Sequence, residues 1–230
     1  MSSPATAIPH LHMRVREMPV ALARYLRRAT TRAWRSRGPV TRKALRWGEH
    51  CLAVIGGVLL VYFLFFDISV VTSGSMAPTL AGTSPENGDW VLTEKLSFRL
   101  RGPRRWEVMT FRMEGMQVMK RVVGLPGENV SMQVELDADG KPTRGTEASA
   151  ILIDGERVER PESIEDIRYF ALGKLHHTRS VDAGGGYVVL GDDSRDSWDS
   201  RWEPPVEDKD VIGRAWVRIW PPSRIGFVNP

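Results

Sequence analysis

The feature that most constrains this chain is an uncharged, almost wholly apolar run from Cys51 to Phe66, CLAVIGGVLLVYFLFF. As a helix, this run would rise about 24 Å, slightly less than the ~30 Å hydrocarbon core of a bilayer, so flanking residues such as Trp47 and the segment ISVV must complete a span. We therefore expect residues 47–69 to form one transmembrane anchor. The alternatives are a buried helix and a cleaved signal sequence, but the run is preceded by fifty residues and is followed by no A-x-A-like cleavage site.

Basic residues are concentrated before this run. Residues 14–46 contain eleven Lys or Arg and a single acid, whereas residues 51–230 contain 21 basic and 26 acidic residues. The positive-inside rule then places a basic arm, residues 1–46, in the cytoplasm and the acidic remainder outside. Arginine-rich arms also bind nucleic acids. Because the position beside the apolar run already accounts for the charge, we expect no nucleic-acid partner.

The rest of the chain has the pattern of a mainly β protein. Short alternating stretches separated by Gly- and Pro-containing turns predict strands: DWVLTEKL, EVMTFRM, MQVMKRVVG, NVSMQVEL, AILIDGERV, GGYVVLGD and RAWVRIW. The only cysteine, Cys51, lies in the apolar run, so no intrachain disulfide is available. We expect a β-rich domain formed by residues 70–130 and 187–230. The polar residues 131–186 predict a smaller inserted β subdomain or, alternatively, a set of long surface loops.

Two serines, Ser73 and Ser75, follow the apolar run in the segment SGSM. A serine becomes an effective nucleophile only when a neighbouring base accepts its proton. The histidines give weak support for a His–Asp triad, because His176 and His177 are the only ones after the apolar run.

A lysine is the second candidate base. Strand alternation in MQVMKRVVG places Lys120 between Val118 and Val122 on one face. Burial there would disfavour the charged amine, and a base near neutral pH requires the lysine pKa to fall by about three units, which corresponds to roughly 4 kcal/mol. The alternative is a snorkelling or ion-paired surface lysine.

The third candidate segment is GDDSRDSWDSR, residues 191–201. The EF-hand spacing for calcium is found at Asp192, Ser194, Asp196 and Glu203. However, Ser197 stands where that loop needs glycine, and flanking helices are not predicted, so we expect no metal site. The segment could also be a solvated acidic turn. A network in which Asp199 and Arg201 brace neighbouring loops is the more attractive reading.

Together, these segments resemble those of the type I signal peptidases, which are membrane-anchored Ser/Lys endopeptidases. SGSMAPTL is similar to the family's nucleophile segment, GDWVLTEK to the strand that follows it, KRVVGLPGE to its lysine segment, and GDDSRDSWDSR to the segment that usually ends Ser-x-Asp-Ser-Arg. The resemblance extends from the anchor to about Trp220. It departs from the family at Thr72, where proline is common, and in GDDSRDS, where GDN-R is usual.

The resemblance implies that Ser75 is the nucleophile and Lys120 the general base. It implies that the backbone N–H of Ser75 and the hydroxyl of Ser73 form the oxyanion hole. It also implies that Ser197 orients the lysine amine by a hydrogen bond, and that Asp199 and Arg201 hold the active-site loops. This Ser–Lys pairing replaces the Ser-His-Asp triad and implies no metal or other cofactor.

The apolar residues near these groups predict shallow pockets that admit only small side chains before the cleavage site: Val71, Met76, Leu80, Val118 and Met119. The implied substrates are secretory precursors, and the implied location is the plasma (inner) membrane, with one span, a cytoplasmic N-terminus and an extracytoplasmic catalytic domain in contact with the bilayer. The alternatives are a Ser/Lys peptidase dedicated to one specialised precursor, a self-cleaving DNA-binding repressor and an inactive membrane-tethered β scaffold.

Overall fold

The computed structural model of the chain describes residues 38–135, 147–176 and 179–228. Most of the predicted basic arm and part of the predicted insert lie outside these residues. The chain forms two compact units, with the division between Leu59 and Leu60.

The first helix, α1, spans Pro39–Phe65 and contains the apolar run except its last residue. None of its residues is buried, and its length and composition are sufficient to cross a membrane. The helix begins within the predicted arm and ends before the predicted end of the anchor at residue 69. Phe66–Val70 instead form strand β1, in which Asp67 interrupts the apolar run and every backbone position pairs with a neighbouring strand.

The larger sheet is antiparallel and has seven strands in the order β1-β2-β10-β3-β4-β9, with β11 paired to β10. After β1, its strands are β2 (Trp90–Glu94), β3 (Val108–Met113), β4 (Met116–Gly124), β9 (Val188–Leu190), β10 (Val211–Trp220) and β11 (Gly226–Phe227). A short helix, α2 (Leu96–Arg101), follows β2. The alternating stretches had predicted β2, β3, β4, β9 and β10, but not β1 or α2.

The second sheet has four strands in the order β7-β6-β5-β8. Its strands are β5 (Asn129–Val134), β6 (Ala148–Ile153), β7 (Glu156–Val158) and β8 (Ser180–Asp182). The predicted strand AILIDGERV is a hairpin of β6 and β7, because Asp154 and Gly155 at its centre both have positive φ, 53° and 87°. Asp-Gly is a preferred pair for such a two-residue turn. The mainly β architecture after one apolar helix is therefore confirmed.

Strand β4 separates two apolar clusters of the larger sheet. Val118 and Val122 belong to a cluster with Phe111, Val189 and Val206. Met119, which points to the opposite face, packs against a cluster that includes Met76, Leu80, Val91 and Val108. The alternation predicted from the sequence thus determines which core each β4 side chain enters.

Candidate active site

The nucleophile candidate lies on a single 3₁₀ turn, Gly74–Met76, in which the N–H of Ala77 donates to the carbonyl of Gly74 at 2.8 Å. The chain before this turn is tightly packed at Val71. A Cβ atom on Gly82 or Gly88 would fall 2.0 or 1.8 Å from the carbonyl oxygen of Val71, so only glycine fits at either position. This close packing fixes the path by which β1 leads to Ser75.

Ser75 and Lys120 are brought together from segments 45 residues apart. The Nζ of Lys120 donates to the Oγ of Ser75 at 2.7 Å, and both residues are buried, with 3% of Lys120 and 9% of Ser75 exposed. The Oγ of Ser73 lies 3.2 Å from the Oγ of Ser75. A nucleophile within hydrogen-bond distance of a base is the arrangement that covalent catalysis requires.

Burial changes the acidity of the Lys120 ammonium. Removal from water is the largest effect and lowers the pKa of Lys120 from 10.5 to about 8, while the Asp199 carboxylate opposes the change and the Arg201 guanidinium adds to it. At pH 8, a large fraction of the amine is therefore neutral and able to accept a proton. The surface-lysine alternative does not apply, because Lys120 is buried beside Ser75.

Asp199 and Arg201 form a buried, bidentate ion pair. The Nε and Nη2 atoms of Arg201 donate to the two carboxylate oxygens of Asp199 at 2.8 and 2.6 Å, and both side chains are fully buried. The Nη1 of Arg201 also donates to the carbonyl of Ser194 at 2.6 Å and to that of Phe170 at 3.4 Å. The pair therefore holds the segment 191–201 together and links it to the chain at Phe170, as a bracing role requires.

The hydrogen-bond partner of Ser197 differs from the expected one, Lys120. Its Oγ donates to the Oδ2 of Asp199 at 2.7 Å, and the described residues show no hydrogen bond from Ser197 to Lys120. A carboxylate is a stronger acceptor than a neutral amine, which explains this preference. Ser197 nevertheless lies close to the nucleophile, since a Cβ atom on Gly191 would meet the Oγ of Ser197 at 2.1 Å and the carbonyl oxygen of Ser75 at 2.6 Å.

A groove of about 600 Å³ opens at the dyad. Four of the five predicted pocket residues line it: Val71, Met76, Val118 and Met119. Leu80 does not belong to this lining. It is fully buried in the cluster with Val91, because the N–H of Leu80 donates to the carbonyl of Met76 at 2.8 Å and the turn carries its side chain into the core.

The groove lies between two strand edges. β1 pairs with β2, and the described residues provide no strand for its other edge, whereas β9 pairs with β4 only from Arg121 onward. The Nε2 of Gln117 donates to Asp67 on β1 at 3.5 Å, and Lys120 reaches Ser75 further along. Residue numbers increase in the same direction along both segments from the first contact to the second, so the segment from β1 to Ser75 and strand β4 run roughly parallel. An extended peptide can lie between them.

Comparison with known proteins identifies the family. The family model described as signal peptidase, peptidase S26, matches residues 44–220. The chain belongs to this family. Signal peptidase I of Leptolyngbya laminosa is 31% identical over 70% of this chain and 71% of its own length. Probable signal peptidase I-2 of Synechocystis is 29% identical over 69% of this chain and 65% of its own length.

Among solved structures, a signal peptidase I from Enterococcus faecalis aligns with 49% of this chain and 95% of its own, with a TM-score of 0.35 and 23% identity. The predicted family is confirmed by the family model and the curated relatives. The prediction of a peptidase that removes signal peptides is confirmed at the level of the family. The described residues contain no group of three or more His, Cys, Asp or Glu side chains that could hold a metal ion.

One buried ion pair of this signal peptidase-family domain was missed in the sequence. Arg121 donates to both carboxylate oxygens of Asp192, at 2.8 and 2.6 Å, and both side chains are fully buried. Arg121 also donates to the carbonyl of Trp106 at 2.6 Å. The sequence could have indicated this pair, because Arg121 immediately follows Lys120 in a strand with valines on both sides, a pattern that predicts burial. A buried arginine requires a carboxylate partner.

Proposed function

We propose that this chain is a membrane-bound serine endopeptidase that removes N-terminal signal peptides from secretory precursors, with Ser75 as nucleophile and Lys120 as general base. The observation that carries the proposal is the 2.7 Å hydrogen bond between two buried groups, the Nζ of Lys120 and the Oγ of Ser75. A scaffold without activity would have no need to bury an amine whose ionised form is costly to desolvate.

The reaction begins when neutral Lys120 accepts the hydroxyl proton of Ser75 as its Oγ attacks the carbonyl carbon of P1, the residue before the scissile bond. The Lys120 ammonium then donates this proton to the leaving nitrogen. The C–N bond breaks, the mature chain departs as an amine, and the signal peptide remains as an ester on Ser75. A water molecule that gives a proton to Lys120 hydrolyses the ester. The returning proton regenerates Ser75.

The carbonyl oxygen becomes negatively charged in both steps and needs hydrogen-bond donors. We assign this role to the backbone N–H of Ser75 and the hydroxyl of Ser73, whose Oγ lies 3.2 Å from the Oγ of Ser75. Asp199 and Arg201 hold the adjacent loops. Ser197 contributes indirectly, by its hydrogen bond to Asp199.

Ser73→Ala is expected to lower kcat by about 10² to 10³, the range typical for loss of one oxyanion donor, with a much smaller change in KM. Ser73→Thr keeps the hydroxyl and serves as the matched control, with most of the activity expected to remain. Steady-state kinetics on a peptide substrate would measure both variants. Equal losses in both variants would show that packing, and not the hydroxyl, matters at this position.

Substrate binding follows from the two free strand edges. An extended peptide that enters the groove with P1 at Ser75 would pair with β1 and β4 and run parallel to both. Its P1 and P3 side chains would then point to the face of Val71, Met76 and Met119, where the space is shallow. Val118 completes the lining near the peptide backbone. These contacts favour precursors with small residues at P1 and P3.

The membrane topology is part of the same proposal. Residues 47–65 would span the plasma (inner) membrane once, and the basic arm at 1–46 would stay in the cytoplasm. The β-rich domain would lie outside together with the second sheet, which begins at Asn129, two residues before the predicted start of the insert at 131. Ser75 follows the end of α1 by ten residues. This short separation along the chain suits a substrate whose cleavage site also follows a membrane-spanning segment. The bilayer and secretory precursors are then the partners, and no nucleic acid is required.

The proposal is tested with the full chain in detergent and a generic secretory precursor. Cleavage by the wild-type chain and not by Ser75→Ala, with a new N-terminus after a small residue by N-terminal sequencing, is the expected result. Cleavage of one specialised precursor alone would favour the narrower peptidase alternative. Absence of cleavage of any precursor would support the scaffold alternative and overturn the proposal.

A further inference from the structure

Two exposed tryptophans form a stacked pair at the rim of the groove. The rings of Trp198 and Trp202 lie 5.7 Å apart at an interplanar angle of 11°, and both residues line the groove. They are 57% and 41% exposed. Two adjacent indoles that remain this exposed form an apolar surface of the kind that marks a binding site.

The pair is held in place before any substrate binds. The indole N–H of Trp198 donates to the carboxylate of Glu203 at 2.7 Å. The backbone N–H of Trp202 donates to the carbonyl of Asp199 at 2.8 Å. A Cβ atom on Gly173 would lie 3.1 Å from the Trp202 ring, so this ring also rests against the backbone behind it. A fixed aromatic surface binds a ligand with a smaller entropy loss than a mobile one.

The pair lies on the side of β4 that faces away from the small pockets. Val118 and Met113 pack into the cluster that contains Val189, whereas Met119 packs into the cluster on the other face. Ser200, which lies between the two tryptophans in sequence, exchanges hydrogen bonds with Val189 at 2.9 and 3.1 Å. Ser200 also lines a second cavity with the Met113 and Val189 side chains of the Val118 cluster, so the turn that carries both rings lies against the Val118 face.

Side chains of an extended substrate alternate in direction, and this alternation determines which of them contacts the Val118 face of β4. If P1 and P3 point toward Met119, P2 points in the opposite direction. Trp198 directly follows Ser197, whose Oγ and the carbonyl oxygen of Ser75 both crowd the Cα of Gly191. The Trp198 ring is therefore carried by a residue next to the dyad, which favours P2 over the more distant P4.

We propose that Trp198 and Trp202 form a subsite for a large apolar or aromatic side chain at P2, so that this enzyme prefers such a residue between the two small ones. The proposal rests on the proposed signal-peptide cleavage. It adds a preference at P2, a position that the pockets for the small P1 and P3 residues do not restrict.

The test uses the full chain in detergent and a set of peptides that share small residues at P1 and P3 and carry Ala, Phe or Lys at P2, together with one that carries Phe at P4. For the wild-type chain, kcat/KM is expected to be highest with Phe at P2. Trp198→Ala is expected to reduce the Phe-to-Ala ratio at P2 by about three- to tenfold, the scale of a lost aromatic contact. Trp198→Phe, which keeps an aromatic ring, is expected to restore part of the ratio.

Trp220→Ala is the matched control, because Trp220 is also half-exposed, at 51%, but does not line the groove. Its ratio should equal that of the wild-type chain. An unchanged ratio in Trp198→Ala, an equal change in Trp220→Ala, a preference for Lys over Phe at P2, or an effect at P4 alone would each overturn the subsite. Failure of the wild-type chain to cleave the Ala peptide would instead overturn the proposed function.

Discussion

Lys120→Met is expected to abolish peptide cleavage and, at the same time, to stabilise the folded protein at neutral pH. The methionine side chain is about as long as that of lysine and fills a similar apolar space, but it cannot accept the proton of Ser75. Loss of a dyad member leaves only oxyanion stabilisation and substrate binding, so kcat is expected to fall by about 10³-fold or more.

The expected gain in stability comes from the lowered pKa of Lys120. This pKa is about 8 in the folded protein and 10.5 ordinarily, so between these values the unfolded chain binds more protons than the folded one. The lysine's contribution to stability therefore rises with pH through this window, and below about pH 8 the folded protein carries the full cost of a buried ammonium. That cost corresponds to roughly 3 kcal/mol as an upper estimate.

Urea unfolding of both chains at pH 7 and at pH 10, in the same detergent, would measure this effect. The advantage of Lys120→Met should be largest at pH 7 and smaller at pH 10. Lys209→Met is the matched control, because Lys209 is exposed and its ion pair with Glu207 lies at the surface. A Lys120→Met chain less stable than wild type at pH 7 would contradict the burial cost.

The same pKa predicts the pH dependence of catalysis. Only the neutral amine accepts a proton, so kcat/KM of the wild-type chain is expected to rise with pH, reach half of its plateau near pH 8 and remain level above it until other groups titrate. A profile that falls between pH 7 and pH 9 would contradict the assignment of Lys120 as base.

Strand alternation predicted which residues share a face with Lys120, because it depends on one strand only, whereas the pairing of Lys120 with Ser75 was implied by the family resemblance. The positions of Val118, Lys120 and Val122 on one face of β4 require no knowledge of the rest of the fold. Proximity in sequence was a poorer guide for Leu80, which lies five residues after Ser75 but turns into the core. The boundary between α1 and β1 was also hidden, because the apolar run continues without a break in composition from the end of α1 at Phe65 into Phe66.

Contacts between distant segments could not be read from the sequence. Ser197 lines the same groove as Lys120, but its hydrogen bond goes to Asp199 and not to the lysine amine that the resemblance implies, a choice that depends on which acceptor the folded loop places closest. The pairing of Arg121 with Asp192 joins residues 71 apart. Residue types alone indicated that each buried charge needs a partner, whereas the fold determines which one it has.

Asp192→Asn is expected to lower the free energy of unfolding by about 3 to 5 kcal/mol, since it leaves the buried Arg121 guanidinium without the carboxylate that neutralises it. Asparagine preserves the shape of Asp192, so the loss would report charge rather than packing. The other acceptors of Arg121, such as the carbonyl of Trp106, are neutral and compensate only in part. Glu207→Gln is the matched control, because its ion pair with Lys209 is exposed and is expected to contribute less than about 1 kcal/mol.

The double variant Arg121→Met with Asp192→Leu separates the cost of an uncompensated charge from the value of the pair. Apolar replacements of similar volume often leave stability unchanged or raise it, so this chain is expected to be at least about 2 kcal/mol more stable than Asp192→Asn in urea unfolding. Double-variant stability no higher than that of Asp192→Asn would contradict this explanation and show that the directed hydrogen bonds hold this region together.

The Asp192 backbone precedes Asp193, whose N–H donates to the carbonyl of Ser75 at 3.1 Å. A stable double variant with reduced kcat would therefore show that the pair positions the nucleophile turn even where it adds nothing to the stability of the fold.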